Sequence, residues 1–581
     1  MMSPPMLTLG FNCYMRDAAA VLVRDGEVIR AVEEERLSRI KNTGVFPERA
    51  IRFCLSDAGV DVHDLDAVAF NMRPWEGLSR RLAQVALGLP SSLAFANRGS
   101  DWAKMSAVPL HFARRFGRLP PWQWVGHHEA HAASAAVASG WDDAAVFVAD
   151  GSGEIASTTT WHARSGRLTL LEQVDFPHSL GYFYSALTEW LGFTPASDEG
   201  TTMGLSSHGS PNRAISDRFA AMLALDGRIT PAWFRYQDGG TSYYSALWTA
   251  AFGPARRPDE PVTALHEDVA YAGQRRLEEV VFLSLRRLQA RTGCRRVALA
   301  GGVALNSVVN GKILTETPFD ELFVQPAPHD AGTAMGAAWV AGRRGHGRVG
   351  HRPVAPLADV ALGPAFGQDD CEAAVRRAGL ACERVDDAAG SAAAELVAGA
   401  VVGWFQGRAE FGPRALGRRS LLADPRHRET QDRVNHAVKG RELFRPFAPS
   451  VLEAHAADWF DGPCTPFMTT VVPVRNARRG LIAAVTHVDG TARPQTVRAD
   501  TEYGRLITAF YRETGIPMVL NTSFNVKGEP IVTTPDEAIA DLLGTSIDVL
   551  YLGDLRVLRP GSGLTLGCRC FSDRAGRSDS L

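Results

Sequence analysis

Two histidines four residues apart, His127 and His131 in Val125-Gly-His-His-Glu-Ala-His-Ala-Ala-Ser134, constrain this chain more than any other feature. In a helix that spacing sets both imidazoles on one face, with His128 pointing away from it. The apolar run Ala144-Ala-Val-Phe-Val-Ala149 predicts a buried strand that delivers Asp150, nineteen residues after His131, into the turn Asp150-Gly-Ser-Gly-Glu154. The design recurs at Val324-Gln-Pro-Ala-Pro-His-Asp330-Ala-Gly, where a short apolar strand again leads to an acid. Two imidazoles with one or two carboxylates form a mixed donor set suited to Fe(II), Mn(II) or Zn(II), with room for substrate. A plainer reading stays open, in which Asp150 caps its own turn and Asp330 caps a helix starting near Ala331.

The 581 residues, 45% hydrophobic with a formal charge of -2, suffice for two or more domains with sizeable cores. No basic block breaks the near-neutral balance, so no nucleic-acid partner is expected. No apolar run reaches membrane-spanning length, and Met1-Met-Ser-Pro-Pro-Met lacks the charged and apolar parts of an export signal. A cytoplasmic protein with no membrane partner is expected. The cysteines are scattered as reduced thiols would be, and the pair Cys568-Arg-Cys570 lies in a polar tail, 561–581, expected to be disordered. Of 62 basic residues only Lys41, Lys104, Lys312, Lys439 and Lys527 are lysines, a bias that points to a GC-rich genome.

Organisation along the chain is α/β in two parts. Strands are predicted at Leu7–Phe11, Ala18–Val23 and Val28–Val32, a helix from Pro47 to Leu55, and further strands at Ala67–Phe70, Ala144–Val148, Thr158–Trp161 and Val297–Ala300. This opening, with later strand-glycine-helix crossings, resembles the actin-like and sugar-kinase-like duplicated fold. The glycine- and arginine-rich stretch Gly342–Pro356 reads as a boundary, giving domains 1–355 and 356–560. Two turns in the first part, Gly301-Gly302 with Asn306 and the one holding Gly332, are candidates for close nucleotide approach. Small residues at a crowded strand-helix crossing give the same pattern with no ligand.

The second part holds a cationic cluster. Glu410-Phe-Gly-Pro-Arg414-Ala-Leu-Gly-Arg418-Arg419 and Lys439-Gly-Arg441-Glu-Leu-Phe-Arg445 interleave guanidiniums with glycines, prolines and phenylalanines. A solvated basic face seldom carries such aromatic interruptions; arginine forks with a lysine suit a phosphorylated ligand. Leu520-Asn-Thr-Ser523-Phe-Asn525 follows an apolar strand and offers neutral hydroxyl and amide partners.

These motifs resemble the NodU-type O-carbamoyltransferases, which decorate nodulation factors and antibiotics such as tobramycin, cephamycins and ansamycins. The likeness runs from Val32-Glu-Glu-Glu-Arg-Leu-Ser-Arg-Ile-Lys41 through His127–His131, Met203-Gly-Leu, Gly301–Asn306, His329-Asp330-Ala-Gly, Glu410–Gly417, Phe444–Pro449 and His487–Arg493 to Asn521–Asn525. It implies a threonylcarbamoyl-transferase (glycoprotease-like) branch of the actin-like fold first and a YrdC-like α/β domain second, whose KxR and SxN signature stands as Lys439-Gly-Arg441 and Ser523-Phe-Asn525. It further implies that carbamoyl phosphate and Mg(II)-bound ATP yield carbamoyl adenylate, with Arg414, Arg418, Lys439, Arg441, Ser523 and Asn525 binding the phosphates. The carbamoyl group then passes to a small-molecule hydroxyl beside a metal, Fe(II) by preference, held by His127, His131, Asp150 and Asp330.

The chain departs from the family where relatives read His-Asp before the second strand, because Tyr14-Met15-Arg16-Asp17 stands there, leaving Asp17 as candidate base. It departs again at Glu199-Gly-Thr201, where relatives carry lysine. The acceptor is expected to be a secondary-metabolite hydroxyl, with Trp75–Phe116 and the stretch from Trp233 to Tyr244 as lining candidates or plain surface packing. An actin-like kinase, a tRNA threonylcarbamoyl enzyme and a catalytically silent relative are the competing readings.

Overall fold

A computed structural model describes residues 6–79, 96–238, 242–345, 355–442 and 444–565. The tail beyond 565, with Cys568 and Cys570, and most of the expected boundary stretch lie outside the described residues. Two compact units make up the chain. The first comprises Met1–Gly363 with two returning segments, Phe411–Pro413 and Thr469–Val472; the second comprises Pro364–Glu410, Arg414–Met468 and Pro473–Leu581. The returning segments are held by backbone hydrogen bonds, Phe411 N–H to Val360 O and Val471 N–H to Ser307 O, each 2.8 Å.

The first unit repeats one topology. Strands β1 (Leu7–Asn12), β2 (Ala19–Arg24), β3 (Glu27–Glu33), β4 (Ala67–Phe70) and β5 (Trp122–Trp124) form a sheet of order β3-β2-β1-β4-β5. Strands β6 (Asp143–Ala149), β7 (Ala156–Arg164), β8 (Arg167–Asp175), β9 (Arg296–Ala300) and β10 (Glu321–Val324) form a second, β8-β7-β6-β9-β10. In each, the first three strands run antiparallel and the last two parallel to the first. The duplicated α/β fold expected for the first part is therefore present as two equivalent sheets. β1 and β4 are buried along their whole length, as strands covered on both faces must be, and read as continuous apolar runs.

Two alanine-rich helices, His127–Ala138 and Asp330–Gly345, pack against each other. Ala132, Ala135 and Ala136 meet Val146, Val148, Ala298 and Ala300 of the second sheet, while Ala130 and Ala133 meet Ala67 and Ala69 of the first together with Ala337, Val340 and Ala341. Helix His127–Ala138 is thus covered on every side, which is why it shows no polar stripe. The approach is close enough to demand glycine: a Cβ on Gly336 would stand 1.8 Å from Ala130 O.

The second unit carries an eight-stranded sheet, in spatial order Cys382–Arg384, Leu555–Leu558, Val549–Leu552, Val402–Phe405, Arg419–Ala423, Met518–Ser523, Ala448–Leu452 and Gln495–Val497. Arg419–Ala423 and Ala448–Leu452 both run antiparallel to Met518–Ser523, and Gln495–Val497 runs parallel to Ala448–Leu452. Hence three strand starts and one strand end meet at the same edge. Among the described residues no helix is long and apolar enough to cross a membrane.

Candidate functional site

Topology brings the metal-ligand candidates together. Asp150 follows the end of β6, Asp330 opens the helix after β10, and His127 and His131 lie in the first turns of the helix after β5. In open α/β sheets, the carboxyl ends of strands are where ligands bind. His127 Nε2 lies 3.2 Å from Asp150 Oδ2 and 3.6 Å from Asp330 Oδ1; His131 Nε2 lies 3.6 and 3.8 Å from the same two atoms. The four donor atoms all fall within 4.8 Å of one another. His131 is fully buried, and among the described residues neither ring nitrogen has a hydrogen-bond partner. His128 is turned away as expected, its Nδ1 2.9 Å from Thr159 Oγ1.

The surroundings hold these side chains in place. Asn71 Nδ2 sits 3.3 Å from His127 Nδ1 and 2.8 Å from Thr333 Oγ1, leaving His127 Nε2 to face the carboxylates. Gly302 N–H donates to Asp150 Oδ1 at 3.0 Å. Burial alone would lower His127, but the Asp150 hydrogen bond and the Asp330 charge raise it from 6.5 to about 9. Burial alone would raise the Asp150 carboxyl; the two imidazoles bring it well below its ordinary value. The Asp150 carboxylate therefore sits in a cationic environment.

Other candidates in the first unit have structural work to do. Gly301 has φ 90°, and a Cβ there would meet Ala149 O at 2.2 Å, while a Cβ on Gly332 would meet Ala327 O at 2.1 Å. Asn306 Oδ1 accepts from Val309 N–H at 3.1 Å, capping the helix Ser307–Glu316, and its Nδ2 donates to Gln274 Oε1 at 2.8 Å. Asp17, at φ 50°, sits in a turn held by Asn12, whose Nδ2 donates to Arg16 O and Asp17 O at 3.1 Å. Burial, then the charge of Asp330, pushes its carboxyl up to about 7.

In the first unit Glu154 was not singled out from the sequence. Glu154, buried, accepts His127 N–H at 3.0 Å and Arg73 N–H at 2.8 Å, so its carboxylate caps the N-terminus of the histidine helix. Of the acceptor-lining candidates, Tyr236 and Tyr243 gather with Phe176 and Tyr182. A Cβ on Gly151 would stand 3.0 Å from the Tyr182 ring, so this aromatic group adjoins the Asp150 turn. Residues 80–95 of the other candidate stretch lie outside the described residues.

In the second unit, Arg414 precedes the strand Arg419–Ala423, Arg441 and Arg445 precede Ala448–Leu452, Arg493 precedes Gln495–Val497, and Ser523 ends its antiparallel neighbour. The shared edge so collects them. Burial, and next the Arg445 charge, lowers Arg414 to about 10 and Arg441 to about 9. Burial and then Arg414, Arg441 and Arg445 hold Arg493 well below its ordinary value. Glu442 offsets them only in part, 3.7 Å from Arg445. Arg493 was not among the residues singled out, because 79 residues separate it from Arg414 and only the parallel register of its strand brings it here.

Lys439 and its signature partners do meet. Lys439 Nζ donates to Ser523 O, to Asn525 O at 2.9 Å and to Asn525 Oδ1 at 2.8 Å, and Ser523 Oγ donates to Asn525 Oδ1 at 2.8 Å. The π-helical turn Val434–Lys439 positions Asn435, whose Oδ1 accepts Arg441 Nε–H at 2.7 Å. Arg418 lies instead against Gly407, and Arg419 is fully buried over the Phe405 ring, donating to main-chain carbonyls.

Known proteins echo both units. Residues 7–339 match the family description "Carbamoyltransferase N-terminus" and residues 393–559 match "Carbamoyltransferase C-terminus". The nodulation protein NolNO of Sinorhizobium fredii is 40% identical over 567 residues, covering 93% of this chain and 79% of its own. Nodulation protein U of Rhizobium fredii is 28% identical, covering 88% of each. Among solved structures, component A of the Acidaminococcus fermentans (R)-2-hydroxyglutaryl-CoA dehydratase is 14% identical with TM-score 0.35, covering 59% of this chain and 99% of its own. Matched from near its first strand to its last, the chain belongs to the carbamoyltransferase family, of the NodU type, and is a carbamoyltransferase.

Proposed function

We propose that this enzyme is an O-carbamoyltransferase that works in two stages. The second unit, read as YrdC-like, forms carbamoyl adenylate. Carbamoyl phosphate loses its phosphoryl group to water as phosphate, and the carbamate oxygen then attacks the α-phosphorus of Mg(II)-bound ATP, expelling pyrophosphate. The observation that carries this reading is the gathering of Arg414, Arg441, Arg445 and Arg493 beside Lys439, with Glu442 offsetting only part of their charge. Such cations are costly to desolvate and are compensated when phosphate oxygens arrive. Lys439, pinned by Ser523 and Asn525, would fix one edge of the anion.

In the first unit an acceptor hydroxyl attacks the carbamoyl carbon, a C–O bond forms, and the bond to AMP breaks. The donor set fits a divalent metal, because His131 is buried with ring nitrogens that no hydrogen bond within reach satisfies among the described residues, and four ligand atoms converge. Fe(II), Mn(II) or Zn(II) held by His127, His131, Asp150 and Asp330 would supply Lewis acidity toward an oxygen of the donor. Asp17, its carboxyl near 7, accepts the hydroxyl proton on its carboxylate oxygen. The aromatic group of Phe176, Tyr182, Tyr236 and Tyr243 beside the Asp150 turn supports an acceptor with a ring face, such as a sugar or macrocycle of a secondary metabolite.

The test incubates purified enzyme with ATP, Mg(II), carbamoyl phosphate and candidate acceptors. Pyrophosphate and AMP dependent on carbamoyl phosphate are expected, with a carbamoyl mass increment on the acceptor. ADP in place of AMP would overturn the proposal in favour of a kinase.

A further inference from the structure

A second cluster of metal-binding side chains lies in the first unit, at the other end of the sheet from Asp150. Asp143 opens β6, His162 lies on β7 opposite Ala145, and Cys294 precedes β9 by two residues. Asp143 and Asp150 stand seven residues apart on and just beyond one strand, about 20 Å at strand rise, so the two clusters share no residue and no ligand. Asp143 Oδ1 is 2.7 Å from His162 Nε2, Cys294 Sγ is 3.4 Å from Asp143 Oδ1 and 3.5 Å from His162 Nε2. Among the described residues this and the His127 cluster are the groups whose donor atoms converge in this way.

The geometry separates two readings of a cysteine, histidine and aspartate in contact. In a nucleophilic triad the thiol and the carboxylate use opposite nitrogens of the ring, so that one orients the imidazole while the other yields its proton. Here both approach the same nitrogen, Nε2, and each other. Three donors from three chain segments pointing at one another fit a shared cation instead. A tetrahedral ion with a metal–sulfur distance of about 2.3 Å and metal–nitrogen or metal–oxygen distances of about 2.0 Å sets sulfur about 3.5 Å from its neighbours. Those are the sulfur distances found. A thiolate, an imidazole and a carboxylate form a borderline-soft set that suits Zn(II).

We propose that Cys294 Sγ, His162 Nε2 and Asp143 Oδ1 form a second divalent-metal site, selective for Zn(II), that ties β6, β7 and the approach to β9 at the far edge of the sheet. Asp143 is half-exposed and His162 partly so, which leaves a fourth position open to water. Binding releases the Cys294 thiol proton and replaces the hydrogen bond between His162 and Asp143 with two metal–ligand bonds.

Cobalt distinguishes this site from the first, because only a sulfur ligand gives thiolate-to-Co(II) charge-transfer absorption in the near ultraviolet, and the His127 set holds no sulfur. Titrating the reduced full-length protein with Co(II) is expected to produce that band, and Zn(II) is expected to erase it by displacement. Cys294→Ser should lose the band and about one equivalent of bound ion, whereas His131→Ala should keep it. His162→Ala serves as the second variant, expected to bind Co(II) at least tenfold more weakly at this site. A wild-type protein without the band, or a band that persists in Cys294→Ser, overturns the proposal.

Discussion

The two units assemble charge in opposite ways. In the first, imidazoles and carboxylates compensate one another, with His127 raised and Asp150 lowered by the same contact. In the second, guanidiniums crowd together, and Arg414, Arg441 and Arg493 are held below their ordinary values by burial and by their cationic neighbours. A self-compensated cluster keeps its geometry without a ligand, whereas an uncompensated one gains most when an anion arrives. The first therefore resembles a fixed receptor for a cation and the second a receptor whose stability rises on loading.

Removing one cation from the second cluster should have the largest effect. Arg441→Ala or Lys439→Ala is expected to reduce carbamoyl-phosphate-dependent AMP formation at least about hundredfold, since each deletes a charged donor to phosphate. Metal content measured on the same preparations should not change. Unaltered AMP formation in both variants breaks the contrast, because the cationic cluster would then be structural.

His131→Ala tests the other side. It should lower bound divalent metal at least about tenfold in affinity and carbamoyl transfer with it, while carbamoyl-phosphate-dependent pyrophosphate formation continues. Elemental analysis after dialysis reads the first and product mass the second. A double variant of His127 and His131 that retains full metal would remove the first cluster from the comparison.

Much of both clusters was legible because helical spacing and strand ends are local signals. His127 and His131 share a face by periodicity, and Asp150 and Asp330 stand where apolar runs end. The duplication helps to place them: Asp150 lies in the turn after β6 as Asp17 lies in the turn after β1, and His127 and Asp330 open the helices after β5 and β10. What stayed hidden depends on distant register. Arg493 reaches its cluster through a parallel strand pairing, and Gly301 is needed for the carbonyl of Ala149, across 152 residues of sequence. Asn306, a nucleotide-contact candidate from its motif, also caps a helix and pairs with Gln274, contacts that the motif does not announce.

The metal-free protein should lose stability toward alkaline pH. His127 lies at 6.5 when free and about 9 in the fold, so its contribution is complete below pH 6.5 and disappears as pH rises through 9. Asp150, held low, contributes above the ordinary carboxylate range and loses its contribution on acidification. A chelated sample is therefore expected to lose a few degrees of midpoint between pH 6.5 and 9. The metal-loaded sample should not, since the ion replaces the proton. Parallel curves would mean that these imidazoles do not bind the ion.

Arg493→Met probes the uncompensated cluster at smaller scale. Without anion the variant should match or slightly exceed wild type in thermal midpoint, because a desolvated, like-charged guanidinium has gone. Pyrophosphate should raise the wild-type midpoint by mass action and raise the variant's less. An equal rise in both would place the anion elsewhere.

Glu154→Gln should give the smallest effect and sharpen the contrast most finely. The carbonyl of glutamine can still accept the His127 and Arg73 N–H groups that Glu154 accepts at 3.0 and 2.8 Å, so the cap survives in shape. What disappears is a negative charge at a helix N-terminus and beside His127, whose protonated form it favours. The expected cost is about 1 kcal/mol of stability in the metal-free protein. Metal affinity should change little, because the bound imidazole is neutral and two carboxylates remain. A large loss of metal in Glu154→Gln, with the fold intact by circular dichroism, would show that the first cluster also depends on outside charge, and the distinction between a self-compensated and an uncompensated site would have to be redrawn.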